Sequence, residues 1–230
     1  SFNPAMRIGR QLAEVAEVHA GARRRVALAR AVQRLWDVHI PAPARRASQF
    51  PHELSGGMRQ RAMIGMGLMG TPKLLVADEP TTALDVTVQR EVLRLVREVQ
   101  RGSSLAVLLI SHDVAVVSQL CQRVLVMYAG RIVEDLPTAD LTTAAHPYTR
   151  ALIAAVPSML ADRGRPLATI PGQPPEPASR PSGCAFAPRC PFADEHCGEA
   201  APPLVDLAPG HRAACWHPQL ARPLAAARGS

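Results

Sequence analysis

The chain has 230 residues, 47% hydrophobic, 20% charged and only 3% aromatic, enough for one sizeable core of Leu, Val, Ile and Ala, or one domain with a smaller appendage. Its apolar runs, such as SLAVLLI and RVLVMYA, fall far short of the roughly 18 residues that suggest a membrane span, and no secretory signal is visible. The net charge of +7 is concentrated at one end: residues 1–70 hold 11 basic against 4 acidic groups, residues 71–149 hold 7 against 9, and residues 150–230 hold 8 against 6.

In chain order, residues 5–36 carry apolar residues at mixed three and four spacing with one Gly break, which predicts two amphipathic helices. The run Arg23, Arg24, Arg25 reads as a solvated helix face. No aromatic stacking platform or nucleic-acid motif accompanies the charge, so nucleic acid is not an expected partner. A loop containing Pro41 and Pro43 leads to SGG, and MRQRAMIGMGLMG then predicts a helix ended by Gly70, Thr71 and Pro72. There the period changes. KLLVADEP and SLAVLLISHD are short continuous apolar runs ending in polar residues, the pattern of buried parallel strands whose C-terminal ends carry chemistry. Between them VTVQREVLRLVREVQRG supplies a crossover helix, and RVLVMYAGRIVED reads as a hairpin turned at Ala129 and Gly130. The middle of the chain is therefore β-α-β, an α/β pattern with a parallel sheet. From about Pro137 the texture changes to a tail rich in proline that holds four of the five cysteines. Such a segment buries little apolar surface and calls for a covalent or metal staple.

LLVADEP places two carboxylates at the end of a buried strand, where Asp78 can reach a magnesium ion and Glu79 can polarise a water for attack on phosphorus. The pair does not stand alone: Ser55 lies 23 residues before Asp78, Asp85 seven after it in TTALD, and His112 34 after it in LLISHD. In this order and spacing the chain resembles the nucleotide-binding subunit of an ABC transporter. LSGGMRQR matches the signature loop, LLVADEP the Walker B strand, ALD the D-loop and SHD the H-loop. AAHPYTRALIAAVP and the cysteine-rich tail further resemble the C-terminal extension of ATPases serving bacterial dipeptide and oligopeptide importers, with nickel importers as close relatives. SFNPAMRIGRQLAE is similar to the segment that follows the Q-loop in that group.

The resemblance implies a partial ABC-type P-loop ATPase: a helical subdomain with the signature motif over residues 1–70, the Walker B and H-loop part of the core over 71–140, and a C-terminal extension over 141–230. It implies ATP and Mg2+ as cofactors. Ser55, Gly56 and Gly57 would face the γ-phosphate of ATP held by the opposite subunit, since amides at a helix N-terminus favour negative charge. Asp85 would sit on the dimer face, and His112 would contact the γ-phosphate. The implied partners are a second ABC ATPase subunit, transmembrane permease subunits and, indirectly, an extracytoplasmic substrate-binding protein, at the cytoplasmic face of the membrane. No G-x-x-x-x-G-K-[ST] loop occurs in the sequence. The expectation is a subunit lacking its N-terminal part, inactive alone; the other reading is a non-catalytic or decayed subunit that contributes only the signature half of a composite site.

Cys184, Cys190, Cys197 and Cys215 are spaced C-x5-C-x6-C-x17-C, with Cys121 apart as a small buried hydrophobe. Structural disulfides are not expected in the cytosol, so metal is the leading use. The spacing lacks the tight knuckle usual for zinc, and four thiolates also suit a four-iron four-sulfur cluster. Spacing leaves the two open, with His196, His211 and His217 as further zinc ligands; the resemblance to peptide-importer ATPases favours the 4Fe-4S cluster.

Overall fold

The computed structural model describes residues 2–82, 84–102, 104–156, 169–176 and 181–220. Ala83 of the TTALD motif and much of the proline-rich tail, residues 157–168, 177–180 and 221–230, lie outside the described residues. The chain forms two compact units, Ser1–His112 and Asp113–Ser230.

The first unit opens with α1 (Ile8–Ala20) and α2 (Arg24–Asp37), the two expected helices separated at Gly21. Ile8, Leu12 and Ala16 of α1 and Ala27, Ala31 and Leu35 of α2 are buried, each set at the spacing of one helical face. The segment expected as a loop contains a short helix, α3 (Pro43–Ala47). Proline at its first position explains this, because the fixed φ suits a helix start and no N–H is lost there. A 3-10 turn at Pro51–Glu53 then leads into α4 (Gly56–Gly67), which begins on the two glycines rather than after them.

β1 (Leu74–Asp78) and β2 (Ala106–Ile110) pair in parallel, with Asp78 opposite Ile110. α5 (Val86–Arg101) makes the crossover and buries Val92, Leu93, Leu95 and Val96. Strands of this kind are normally covered on both faces, and exposure of their apolar flanks is what the sequence predicts for this chain. Leu75 and Ala77 are buried, but Leu74, Val76, Leu108 and Ile110 are 44–54% exposed, so one apolar face of this pair is open.

The second unit starts with α6 (Val114–Leu120), capped by the Asp113 carboxylate, which accepts from the Ala115 and Val116 amides. β3 (Arg123–Tyr128) and β4 (Arg131–Pro137) form the expected hairpin. Ala129 and Gly130 both have positive φ, 47° and 76°, the backbone that matches the twist of the flanking strands. The tail contributes more than was expected of it. After α7 (Pro147–Ala154) and α8 (Glu195–Glu199), β5 (Val205–Ala208) and β6 (His211–Ala213) extend the hairpin into an antiparallel sheet of order β3-β4-β6-β5.

Phe186, also from the tail, is buried with Val126, Tyr128, Val133 and Leu136. It meets the Tyr128 ring edge-on at 5.3 Å and Tyr148 at 5.4 Å. Two buried acids stitch the sheet. Asp135 accepts from Arg123 on β3 and Arg212 on β6 at 2.6–2.7 Å. Glu134 accepts from the Ala145 and His146 amides and from His211 Nε2.

Candidate nucleotide site and metal centre

Asp78 ends β1 with its side chain exposed, and Glu79 follows in a left-handed conformation, φ 46°. The Glu79 amide donates to the Ile110 carbonyl of β2 at 2.9 Å, which fixes the residue where both parallel strands end. One carboxylate oxygen accepts from the His112 amide at 3.1 Å and meets His112 Nδ1 at 2.7 Å; the other accepts from Thr82 Oγ1 at 2.9 Å. These bonds, His112 first and Thr82 second, hold the Glu79 carboxyl below its usual range. Because Glu79 is ionised, Nδ1 is the donor, leaving His112 Nε2 on a side chain 82% exposed. The direct Glu79–His112 bond was not foreseen; both residues had been singled out, but only the strand register shows that they touch.

Ser55 caps α4, its Oγ accepting from the Met58 amide at 3.3 Å. Asp85 caps α5, accepting from the Thr87 and Val88 amides at 3.0 Å. The two helix starts are neighbours: a Cβ placed on Gly57 would lie 2.5 Å from Val88 Cγ1, and one on Gly56 3.4 Å from Leu84 Cδ2. Gly57 is therefore required by helix packing, a role the sequence reading did not assign to it. Among the described residues, no hydrogen bond joins the Ser55–Gly57 turn to Asp78, Glu79 or His112. The seven residues thus form two groups, one at the strand ends and one at two adjoining helix starts.

In the second unit the four tail cysteines line one small cavity. They come from four segments: Cys184 from a loop, Cys190 from the end of a 3-10 turn at Ala187–Arg189, Cys197 from α8, and Cys215 from the stretch after β6. None is in a disulfide. The Cys184 amide donates to the Cys197 carbonyl at 2.8 Å, locking two of the segments together. Burial, with the neighbouring thiols adding to it, pushes Cys215 up to about 11, and burial also raises Cys190 and Cys197. Thiols crowded this way stay neutral until a cation takes the protons' place. Cys121, half-buried and outside the group, is raised by burial alone.

Of the three histidines considered, His217 lines the cavity, and Asp194, Cys197 and His217 bring ligand atoms within 4.8 Å of one another. His217 Nε2 lies 2.7 Å from Asp194, His211 is engaged by Glu134, and His196 packs against Trp216 with ring centroids 4.3 Å apart and planes tilted by 50°. Two cavity neighbours escaped the sequence reading. Asp194 caps α8 by accepting from the Cys197 amide at 3.0 Å, and an Asp three residues ahead of a helical Cys is a legible cap spacing. His146 is 1% exposed and caps α7, its Nδ1 accepting from the Tyr148 amide at 3.0 Å. Burial pushes this ring down to about 4, against the raising influence of Glu134 and the Ala214 carbonyl.

Comparison with known proteins matches residues 35–82 to the ABC transporter family and residues 133–197 to the oligopeptide/dipeptide transporter C-terminal region. A peptide ABC transporter ATP-binding protein of Sinorhizobium fredii is 50% identical over 94% of this chain and 65% of its own length. The oligopeptide transport ATP-binding protein OppD of Salmonella typhimurium is 48% identical over 95% of this chain and 65% of its own. The chain thus spans 65% of the length of these curated relatives. Among solved structures, a metal-chelate type ABC transporter aligns with TM-score 0.55 at 23% identity, over 63% of this chain and 57% of the other. A dimeric bacterial ABC transporter cassette gives 0.53 at 23%, over 60% and 59%. The fold is that of part of an ABC ATPase domain, and no helix among the described residues is long and apolar enough to cross a membrane. On its motifs, its fold and these matches, the chain is similar to the ATP-binding proteins of ABC transporters that carry the oligopeptide/dipeptide C-terminal region.

Proposed function

We propose that the chain is the hydrolytic part of an ATP-binding subunit that drives a peptide importer. The observation that carries this is the Glu79 carboxylate, placed where β1 and β2 end and held ionised by His112 and Thr82. In this reading the exposed Asp78 carboxylate holds nucleotide-bound Mg2+, which supplies charge neutralisation at the phosphates. Glu79 accepts the hydrogen bond of the attacking water, exchanging part of its bond to His112 for it. His112 Nε2 reaches the γ-phosphate, a contact that needs a proton on that nitrogen. Ser55, Gly56, Gly57 and Asp85 close over ATP bound by a second ATPase subunit; that no hydrogen bond among the described residues ties the Ser55–Gly57 turn to the Glu79 group supports this. Residues 1–70, 71–140 and 141–230 serve as helical subdomain, core segment and importer extension. Permease subunits and, indirectly, a substrate-binding protein are the remaining partners, at the cytoplasmic face of the membrane. Peptide is favoured over nickel by the names of the relatives. In an intact subunit with a phosphate-binding loop ahead of these residues, Glu79→Gln should keep ATP binding and lose turnover by about 100-fold or more. Parental turnover would transfer the water-preparing role to another residue.

We also infer that the cysteine cavity holds a 4Fe-4S cluster through Cys184, Cys190, Cys197 and Cys215. The residues fit such a group: four unpaired thiols from four segments face one cavity, with the apolar Phe186, Phe192 and Trp216 beside them. When bound, the cluster would supply the cross-link that these short segments lack. Zinc is the competing reading, and Asp194, Cys197 and His217 bring their ligand atoms within 4.8 Å of one another. Anaerobically purified protein should be brown and contain iron and acid-labile sulfide; a colourless protein with stoichiometric zinc would overturn the cluster.

A further inference from the structure

The His146 ring borders the cysteine cavity and is sealed from solvent, at 1% exposure. Its two nitrogens have different fates. Nδ1 accepts the Tyr148 amide hydrogen at 3.0 Å, so the neutral ring carries its proton on Nε2. Among the described residues no acceptor meets hydrogen-bond geometry at the buried Nε2, and the Ala214 backbone acts on the ring only as a weak hydrogen-bond acceptor. A buried N–H without an acceptor is costly, and native structures rarely keep one without a purpose.

The position of His146 is over-determined from behind. Its own amide donates to Glu134 at 3.2 Å and the preceding Ala145 amide does so at 2.6 Å, while His211 holds the same carboxylate at 2.8 Å. Glu134 is fully buried on β4. The sheet therefore fixes the start of α7, the α7 cap fixes the tautomer, and the tautomer leaves one donor on a residue that lines the cavity together with the four cysteines and His217.

We propose that His146 Nε2–H donates a hydrogen bond to a metal-bound sulfur, cysteine thiolate or sulfide, in the cysteine cavity, with Glu134 as its positioning residue. This rests on the reading of the cavity as a metal centre. A donor aimed at sulfur stabilises the more negative, reduced state of a cluster and so raises its potential.

The test separates the cap from the donor. In His146→Asn the side-chain oxygen replaces Nδ1 as the α7 cap, while nothing reaches as far as Nε2. His146→Gln retains a longer side chain with an N–H. Iron, sulfide and zinc in the anaerobically purified parent are measured first. If the parent holds iron and sulfide, His146→Asn should match its iron content and melting temperature while its reduction potential shifts negative, and His146→Gln should recover part of that shift. An unchanged potential in His146→Asn overturns the proposal. If the parent holds zinc, the cluster reading fails on its own, and the proposal then requires faster zinc loss from His146→Asn to a chelator; equal rates overturn it. If His146→Asn fails to hold its metal, retention with near-parental potential in His146→Gln supports the proposal, and loss in both overturns it. A parent that binds no metal overturns both readings.

Discussion

Gly56 and Gly57 stand side by side in a motif that reads as an anion cradle, yet their surroundings differ. Gly57 meets Val88 so closely that an added Cβ would sit 2.5 Å from Cγ1, whereas at Gly56 the nearest atom is Leu84 Cδ2 at 3.4 Å. Gly57→Ala should therefore cost about 1–3 kcal/mol through overpacking, and Val88→Ala in the same chain should recover most of it by opening the space. Gly56→Ala should change stability little, so a loss of ATP turnover in that variant would report on phosphate approach rather than folding. Denaturant unfolding of the single and double variants checks this. Equal costs at both glycines would show that the α4–α5 contact is not what selects them. The glycine turn at a helix start was legible in the sequence; the packing demand on Gly57 was not, because it depends on a residue 31 positions downstream.

At the scale of elements, the parts with a strong local period were readable and those defined by distant pairing were not. α1, α2, the crossover helix α5 and the β3–β4 hairpin follow from apolar spacing and a turn at Ala129–Gly130. β5 and β6, four and three residues long, carry no such signal; they exist because β4 offers β6 an edge and Asp135 offers Arg212 a partner. The cysteines stood out in the sequence by type and number, but only the folded tail brings four segments to one cavity. Asp135 is the point where this sheet is testable. Its side chain is fully buried between Arg123 and Arg212, and Arg123 first, with Arg212 after it, holds the carboxyl below its ordinary 3.8. Asp135→Asn leaves two guanidinium groups facing a neutral amide and should cost about 3 kcal/mol at pH 7. A depressed carboxylate contributes stability above its unfolded value, and that stability is lost as pH falls through the folded one. The difference between the parent and Asp135→Asn should therefore persist down to pH 3.8 and shrink below it. Thermal melts across that range measure it, and a gap that does not depend on acid pH would locate the effect in packing rather than charge.

At the scale of the whole molecule, no hydrogen bond among the described residues joins the Glu79–His112 group to the Ser55–Gly57 turn, and under the proposed function they are halves of two different nucleotide sites. The chain's 230 residues include no lysine-bearing glycine loop to cradle β- and γ-phosphates. Under the proposed function, Ser55–Gly57 faces a nucleotide held by a second subunit. The account also predicts that a polypeptide of these residues does not turn over ATP by itself. The open apolar face of β1 and β2, with Leu74, Val76, Leu108 and Ile110 exposed, further predicts limited solubility, since strands of this composition are normally covered. The most direct measurement is phosphate release by the 230-residue chain alone and mixed with a subunit that carries its own phosphate-binding loop, each repeated with Ser55→Arg and with Glu79→Gln. The account predicts no release from the chain alone, and release in the mixture, above that of the loop-bearing subunit by itself, that Ser55→Arg abolishes. Turnover by the purified chain alone, lost in Glu79→Gln, would contradict it.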